Sequence, residues 1–178
     1  MTEFSDRLLV EGRGKSQIAR FRPVVLLLIP LAAILFDVYL SRIFEVLSFL
    51  DLPLLVTVYF SLMRRSPLSG LFLGACIGLM EDSFSNHPLG LYGIVKTLVG
   101  YFCSSVSQRF AVDNHAVRFV LALFFYFFHQ MMYWVLLRAL LGRPGGFEPI
   151  REVFLGLLNA VVALALFRLL DRLRVEIV

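Results

Sequence analysis

Apolar runs separated by short polar or basic breaks constrain this chain more than any other feature of its sequence. We place six of them, at about residues 23–42, 46–63, 66–81, 89–106, 117–141 and 150–168. A run of roughly 20 apolar residues can cross the hydrocarbon core of a bilayer as a helix. The pattern therefore predicts an all-α membrane protein, a six-helix transmembrane bundle.

The composition excludes an ordinary soluble domain. Hydrophobic residues make up 59% of the chain and charged residues 17%, with a mean hydropathy of +0.82. A soluble domain has roughly 45–50% apolar and about 25% charged residues. We therefore divide the chain into a flexible basic cytoplasmic tail (1–22), a transmembrane domain (23–170) and a short cytoplasmic tail (171–178).

Basic residues predict the orientation, because they concentrate on the cytoplasmic side of membrane proteins. With the N-terminus inside, 12 of the 17 lysines and arginines fall on the cytoplasmic side, four fall outside, and Lys96 lies within a run. The sequence thus predicts both termini in the cytoplasm. This distribution also accounts for the net charge of +4 without nucleic acid as a partner, and anionic lipids are the expected partners of the basic segments.

The second run is short for a membrane span. Its purely apolar part, 52–63, has 12 residues, which as a helix cover about 18 Å of a roughly 30 Å hydrocarbon core. We expect this helix to include the preceding turn, to tilt little, or to be shielded from lipid by its neighbours.

Glycines recur along the third and fourth runs. Gly70, Gly74 and Gly78 stand four residues apart, so they share one helix face and allow another helix to approach closely. This face is either a docking groove for a partner helix or an intramolecular contact; in the latter, the next run would contribute Gly90, Gly93 and Gly100.

The aromatic fifth run offers a second candidate surface for a partner helix. Phe124 and Phe128 represent its bulky apolar side chains. One run thus offers bulk and the other close approach, and both properties suit helix packing.

Polar residues inside the apolar runs are the other candidate functional groups. Such groups usually face the interior of a bundle and pair there, or they line a functional cavity. Lys96 is expected to pair with Asp37 or Asp82, either as a structural pair or in a functional role. His129 and Asn159 are expected to make interhelical hydrogen bonds, and Pro88 ends the polar break between the third and fourth runs.

Motifs for catalysis, cofactors or metals do not emerge from this pattern. The adjacent carboxylates Glu81 and Asp82 would point about 100° apart on a helix, so they do not suit an acid/base pair. We therefore expect a protein that is not an enzyme, with no cofactor and no metal.

A familiar arrangement covers about 35 residues in the middle of the chain. It consists of the glycine-bearing helix, Asp82 with Ser83, Ser85 and Asn86, the sequence Pro88-Leu89-Gly90, and a second glycine-bearing helix. This arrangement resembles the rod shape-determining protein MreD family of the bacterial cell-wall elongation machinery.

The resemblance implies a non-catalytic component of the bacterial inner membrane. Its expected partners are an MreC-like protein with one transmembrane helix, the RodA–class B penicillin-binding protein synthase and, indirectly, MreB filaments. It also implies a fold similar to the substrate-binding S components of energy-coupling-factor vitamin transporters. Such an S component is the alternative function, which would require an outward-facing polar pocket.

Overall fold

The computed structural model of the chain describes residues 23–40, 49–85, 90–110, 112–142 and 148–173. These residues form helices and their connections, and they contain no strand. The helices are α1 (Pro23–Leu35), which continues as a π-helical turn (Phe36–Leu40), α2 (Leu52–Arg64), α3 (Pro67–Phe84), α4 (Leu91–Ser107), α5 (His115–Leu141) and α6 (Pro149–Asp171). The predicted all-α class is confirmed for this part of the chain, whereas both predicted tails (apart from 171–173) and Pro88 lie outside the described residues.

Two helices are long and apolar enough to cross a membrane by length and composition, namely His115–Leu140 and Pro149–Asp171. The apolar helices Val24–Tyr39 and Leu52–Arg64 are shorter. These findings agree with a membrane protein, while six crossings and cytoplasmic termini stay predictions.

Local sequence signals account for several helix ends. Pro67 and Pro149 begin α3 and α6, where a missing backbone N–H costs nothing. Asn114 caps α5 through its side-chain oxygen, and Gly142 ends that helix in the left-handed conformation with φ 60°. The third helix runs to Phe84, so Glu81 and Asp82 lie in its last turn rather than in a polar break.

The second helix occupies the centre of the bundle. Every residue from Pro53 to Met63 is buried, and α2 contacts all five other helices. A helix that is apolar on all sides requires such an environment. Of the explanations considered for its short length, shielding by neighbouring helices is therefore the one that the structure supports.

Helices α3 and α4 form the most extensive contact in the bundle. A Cβ added at Gly74 would collide with the backbone carbonyl of Lys96, and Gly70 and Gly78 approach the α4 backbone as closely. The glycine stripe therefore serves the intramolecular contact, and its close-approach face is occupied by α4.

The three glycines at the fourth run differ in what they contact. Gly100 faces the backbone of Gly70, and Gly93 lies against the side chain of Leu79. Gly90 precedes α4 with φ 94°, a conformation that side chains with a Cβ rarely adopt. Gly90 thus serves the turn between the two helices, and Gly93 and Gly100 serve their packing.

Candidate functional site

A buried ion pair joins α3 to α4. Lys96 is fully buried, and its Nζ contacts the carboxylate of Glu81, which is also buried. The same Nζ lies 3.3 Å from Oδ1 of Asp51, at the start of α2. We expected Lys96 to pair with Asp37 or Asp82, and the ion pairs that it makes in the structure are with Glu81 and Asp51 instead.

Asp51 connects three elements at this point. Its Oδ1 accepts the backbone N–H of Leu54 at 2.8 Å, which caps α2, and its own N–H donates to Oδ1 of Asn159 on α6 at 3.0 Å. Asn159 also donates to the backbone carbonyl of Phe49 at 2.8 Å. The expected hydrogen bonding of Asn159 to another segment is therefore confirmed, and it ties the start of α2 to α6.

Asp82 has a different role from the expected ion pair. Its carboxylate accepts the backbone N–H groups of Gly90, Tyr92 and Gly93 at 3.0, 3.1 and 2.9 Å. Gly90 directly precedes α4, Tyr92 and Gly93 lie in its first turn, and N–H groups at such a helix start have no partner within the helix. A buried carboxylate from the end of α3 thus caps α4 and ties the two helix ends together.

His129 lies in the middle of α5 and is 1% exposed. Its ring stacks on Tyr92 with the centroids 5.9 Å apart, and Tyr133 stacks on the same tyrosine at 5.2 Å. Neither ring nitrogen has a hydrogen-bond partner in the structure. The Nδ1 atom lies 3.7 Å from Oδ2 of Asp51, which is too long for a hydrogen bond. The described residues of the other helices therefore provide no hydrogen bond to His129.

A polar cavity of about 200 Å³ opens beside these groups. It is lined by Asp37, Phe49, Leu50, Asp51, Glu81, Tyr92, Tyr126, His129, Gln130, Arg151 and Leu155. Beside it, the amide of Gln130 and the hydroxyl of Tyr126 both donate to Oε2 of Glu152 on α6, at 3.1 and 3.2 Å. Buried polar groups of this kind usually pair or line a cavity, and here they pair with one another beside a cavity.

A second polar cluster lies at the opposite end of the bundle. Arg118 is buried at the start of α5, and its guanidinium contacts the carboxylate of Asp171 at the end of α6 at 2.5 Å. The hydroxyl of Tyr59 on the central helix donates to the same carboxylate at 2.9 Å. This cluster joins three helices at the end of the bundle that lies away from the polar cavity.

An apolar groove of about 490 Å³ lies beside the contact of α4 with α5. Its lining consists of Val106, Phe110, Ala116, Val117, Val120, Leu121 and Phe124. Val120 and Phe124 are 60% and 56% exposed. Phe128 is half-buried and packs edge-on against Phe102, with the ring centroids 5.5 Å apart. Of the two aromatic candidates, Phe124 is thus the one that lines the groove.

The chemistry of these sites is that of binding and packing. No three His, Cys, Asp or Glu side chains among the described residues are placed to hold a metal ion together. At the polar cavity, the carboxylates of Asp51 and Glu81 are ion-pair partners of Lys96, and Asp51 also caps α2. The groove offers only apolar surface.

Sequence reasoning missed Asp51 and the part played by Tyr92. The signal for Asp51 was present, because an aspartate two residues before Pro53 is a typical helix start. Tyr92 carried no such signal, because its stack with His129 depends on how α4 packs against α5.

Comparison with known proteins agrees with this helical bundle. The family model of the rod shape-determining protein MreD matches residues 18–173 of the 178-residue chain. No curated protein and no solved structure shows a significant match. MreD proteins are membrane proteins and non-catalytic components of shape determination, which agrees with the two long apolar helices. The chain therefore belongs to the MreD family and has a role in determining rod shape.

Proposed function

We propose that the chain is a non-catalytic membrane scaffold of the cell-wall elongation machinery that binds the transmembrane helix of an MreC-like partner. It crosses the bacterial inner membrane six times, with both termini in the cytoplasm. The family match and the distribution of basic residues support this proposal.

The apolar groove between α4 and α5 carries the proposal. Its α5 residues, from Ala116 to Phe124, follow one helix face over two turns, or about 12 Å. Two aromatic side chains, Phe110 and Phe124, stand at the groove, and both are more than half exposed. The surface is therefore a concave stripe of bulky and small apolar side chains.

A concave stripe suits a helix better than a flat apolar face would. Lipid tails are as apolar as leucine, so association of helices in a bilayer depends on close packing rather than on the hydrophobic effect. Ala116 and Val117 are smaller than the aromatic residues of the lining, so side chains of a partner helix can pack against them. The stripe of glycines on α3 is already filled by α4, so it leaves the groove as the favoured docking surface.

Photocrosslinking tests this docking surface. A photoreactive residue at Val120, in the groove, is compared with one at Val161, which is 59% exposed on α6. We expect Val120 to crosslink to the transmembrane segment of an MreC-like protein and Val161 to crosslink to it weakly or not at all. Equal crosslinking at both positions, or crosslinks to lipid or to a second copy alone, would contradict the proposed groove.

The proposal extends to the other components of the elongation machinery. A scaffold that holds an MreC-like helix supports RodA and a class B penicillin-binding protein at the same membrane site, and reaches MreB filaments indirectly. Arg64, the last residue of α2, and Arg65, which follows it, lie on the proposed cytoplasmic side, where they attract anionic lipid headgroups.

Reporter fusions test the orientation. Reporters that are active only in the cytoplasm should work at both the N-terminus and the C-terminus, since an even number of spans returns the chain to the same side. An external C-terminus would contradict six spans. The vitamin-transporter alternative gains no support from the family match, and the polar cavity of about 200 Å³ is smaller than the roughly 300–1,000 Å³ of typical small-molecule sites.

A further inference from the structure

We infer that Arg118 and Asp171 hold Phe110 in place at the apolar groove and thereby set the affinity of the groove for a partner helix. Neither Arg118 nor Asp171 lines the groove itself. The partner helix as occupant rests on the proposed function, whereas the placement of Phe110 rests on contacts within the chain.

Phe110 differs from the other residues that line the groove. The others lie on α4 or α5, whereas Phe110 lies in the connection between these two helices. Its side chain is 51% exposed, so packing fixes it only in part. Segments with few buried contacts open more readily than helices in a packed core. The position of this groove wall therefore depends on what holds the connection.

A series of hydrogen bonds joins Phe110 to the end of α6. The backbone N–H of Val112 donates to the carbonyl of Phe110 at 3.0 Å. The carbonyl of Val112 accepts Nε of Arg118 at 2.6 Å. The two Nη atoms of Arg118 donate to the two carboxylate oxygens of Asp171. A single guanidinium thus binds the connection through one edge and α6 through the other.

Burial gives these contacts their weight. Arg118 and Val112 are 3% and 1% exposed. A buried guanidinium is stable only when it is paired and hydrogen-bonded, and Asp171 is its carboxylate partner in the structure. The hydroxyl of Tyr59 on the central helix donates to the same carboxylate at 2.9 Å. The charge of Asp171 therefore orients the guanidinium whose Nε holds the connection.

The other side of the connection is held less firmly. Nε2 of Gln108 donates to the backbone carbonyl of Arg65 at 3.1 Å, and this hydrogen bond is exposed. An exposed hydrogen bond competes with solvent and contributes little to stability. Arg118 thus provides the buried polar contact that fixes the connection next to Phe110.

Two substitutions separate the ion pair from the contact with the connection. Arg118→Lys keeps a positive charge for Asp171 but lacks the planar fork that donates to Val112 and Asp171 together. Asp171→Asn keeps the shape of the side chain and removes the charge that orients Arg118. Both variants should release Phe110, although only the second one removes the ion pair.

Fluorine NMR on the purified full chain in detergent micelles tests the placement of Phe110. A 4-fluorophenylalanine at position 110 is compared with one at position 124, which lies on α5 in the same groove. In Arg118→Lys and Asp171→Asn, the resonance at position 110 should shift towards its value in the unfolded chain. The resonance at position 124 should stay where it is in the unaltered chain.

Asp82→Ala is the matched control for a loss of stability without a loss of placement. Asp82 caps the start of α4, whereas Phe110 follows the end of that helix. This variant should leave the resonance at position 110 unchanged. Should Asp171→Asn fail to fold, Tyr59→Phe removes one hydrogen bond to the same carboxylate and should shift that resonance in the same direction.

Retention of an MreC-like protein after mild solubilisation tests the effect on the partner helix. Arg118→Lys and Asp171→Asn should retain about tenfold less of it than the unaltered chain and Asp82→Ala do. No retention by the unaltered chain would contradict the proposed function, and the fluorine signals would still decide the placement of Phe110.

Three results would overturn the inference alone. The first is an unchanged resonance at position 110 in folded Arg118→Lys and Asp171→Asn. The second is an equal shift in Asp82→Ala, which would mean that any loss of stability releases Phe110. The third is equal retention of the MreC-like protein by the unaltered chain and both variants.

Discussion

Lys96 of α4 and Glu81 of α3 form an ion pair inside the bundle, with side chains that are 0% and 5% exposed. Asp51 contacts the same lysine from the start of α2. The Lys96 cation thus pairs with two carboxylates and joins the start of α2 to α3 and α4. Polar pairs of this type inside membrane proteins are costly unless each group has its partner.

Replacement of the lysine should destabilise the bundle strongly. Lys96→Met leaves two carboxylates without their cation, and loss of one partner of a buried pair costs about 3–5 kcal/mol. Arg168→Met, at an exposed position on α6, should change stability little. Thermal unfolding in detergent measures both variants.

The double variant Lys96→Met with Glu81→Met separates loss of the pair from loss of packing. It should unfold at a higher temperature than Lys96→Met alone, because fewer uncompensated charges remain. An unchanged unfolding midpoint for Lys96→Met would show that the pair does not stabilise the fold.

Asp82 should control the order of the first turn of α4. Asp82→Ala removes the acceptor for three backbone N–H groups, those of Gly90, Tyr92 and Gly93. Loss of a helix cap costs about 0.5–2 kcal/mol, and these amides should exchange with deuterium faster. Ser83→Ala, at the exposed neighbouring position, is the control. Identical exchange in both variants would argue against the cap.

Gly74 should tolerate no side chain. The Cβ of Gly74→Ala would collide with the carbonyl of Lys96, so α3 and α4 would have to separate, at a cost of about 1–3 kcal/mol. Cys76→Leu adds more volume on the exposed face of the same helix and should have little effect. A Gly74→Ala variant as stable as Cys76→Leu would contradict the close contact of the two helices.

The cluster at the other end should show coupling between α5 and α6. Arg118→Met and Asp171→Asn each remove one partner of a largely buried pair, and the double variant should cost less than the sum of the two. Tyr59→Phe removes a single hydrogen bond to the same carboxylate and should cost about 1 kcal/mol. Strict additivity of the Arg118 and Asp171 variants, from unfolding midpoints, would mean that the pair carries no energy.

Helix positions follow from the sequence better than the polar contacts do. Proline and asparagine mark the starts of α3, α5 and α6 locally, and the glycine spacing identifies a face of close approach. Lys96 is recognisable as a cation within an apolar run, yet its partner depends on how the start of α2 folds against α4. Asp51 lies 45 positions away from Lys96 in the chain, and no local pattern connects two residues at that separation.

The sequence alone also did not decide which helix face is available to a partner helix. Glycine stripes and aromatic faces both suit helix packing, and only the tertiary contacts show that α4 fills the first. Similarity to the S-component fold stays a prediction, because no solved structure matches the chain.

Copurification with a groove variant tests the central claim most directly. The unaltered chain and the control Val161→Trp should retain an MreC-like protein after mild solubilisation. Val120→Trp, which fills the groove, should retain at least about tenfold less. Equal retention by the two tryptophan variants, or no MreC-like protein bound to the unaltered chain, would contradict the account.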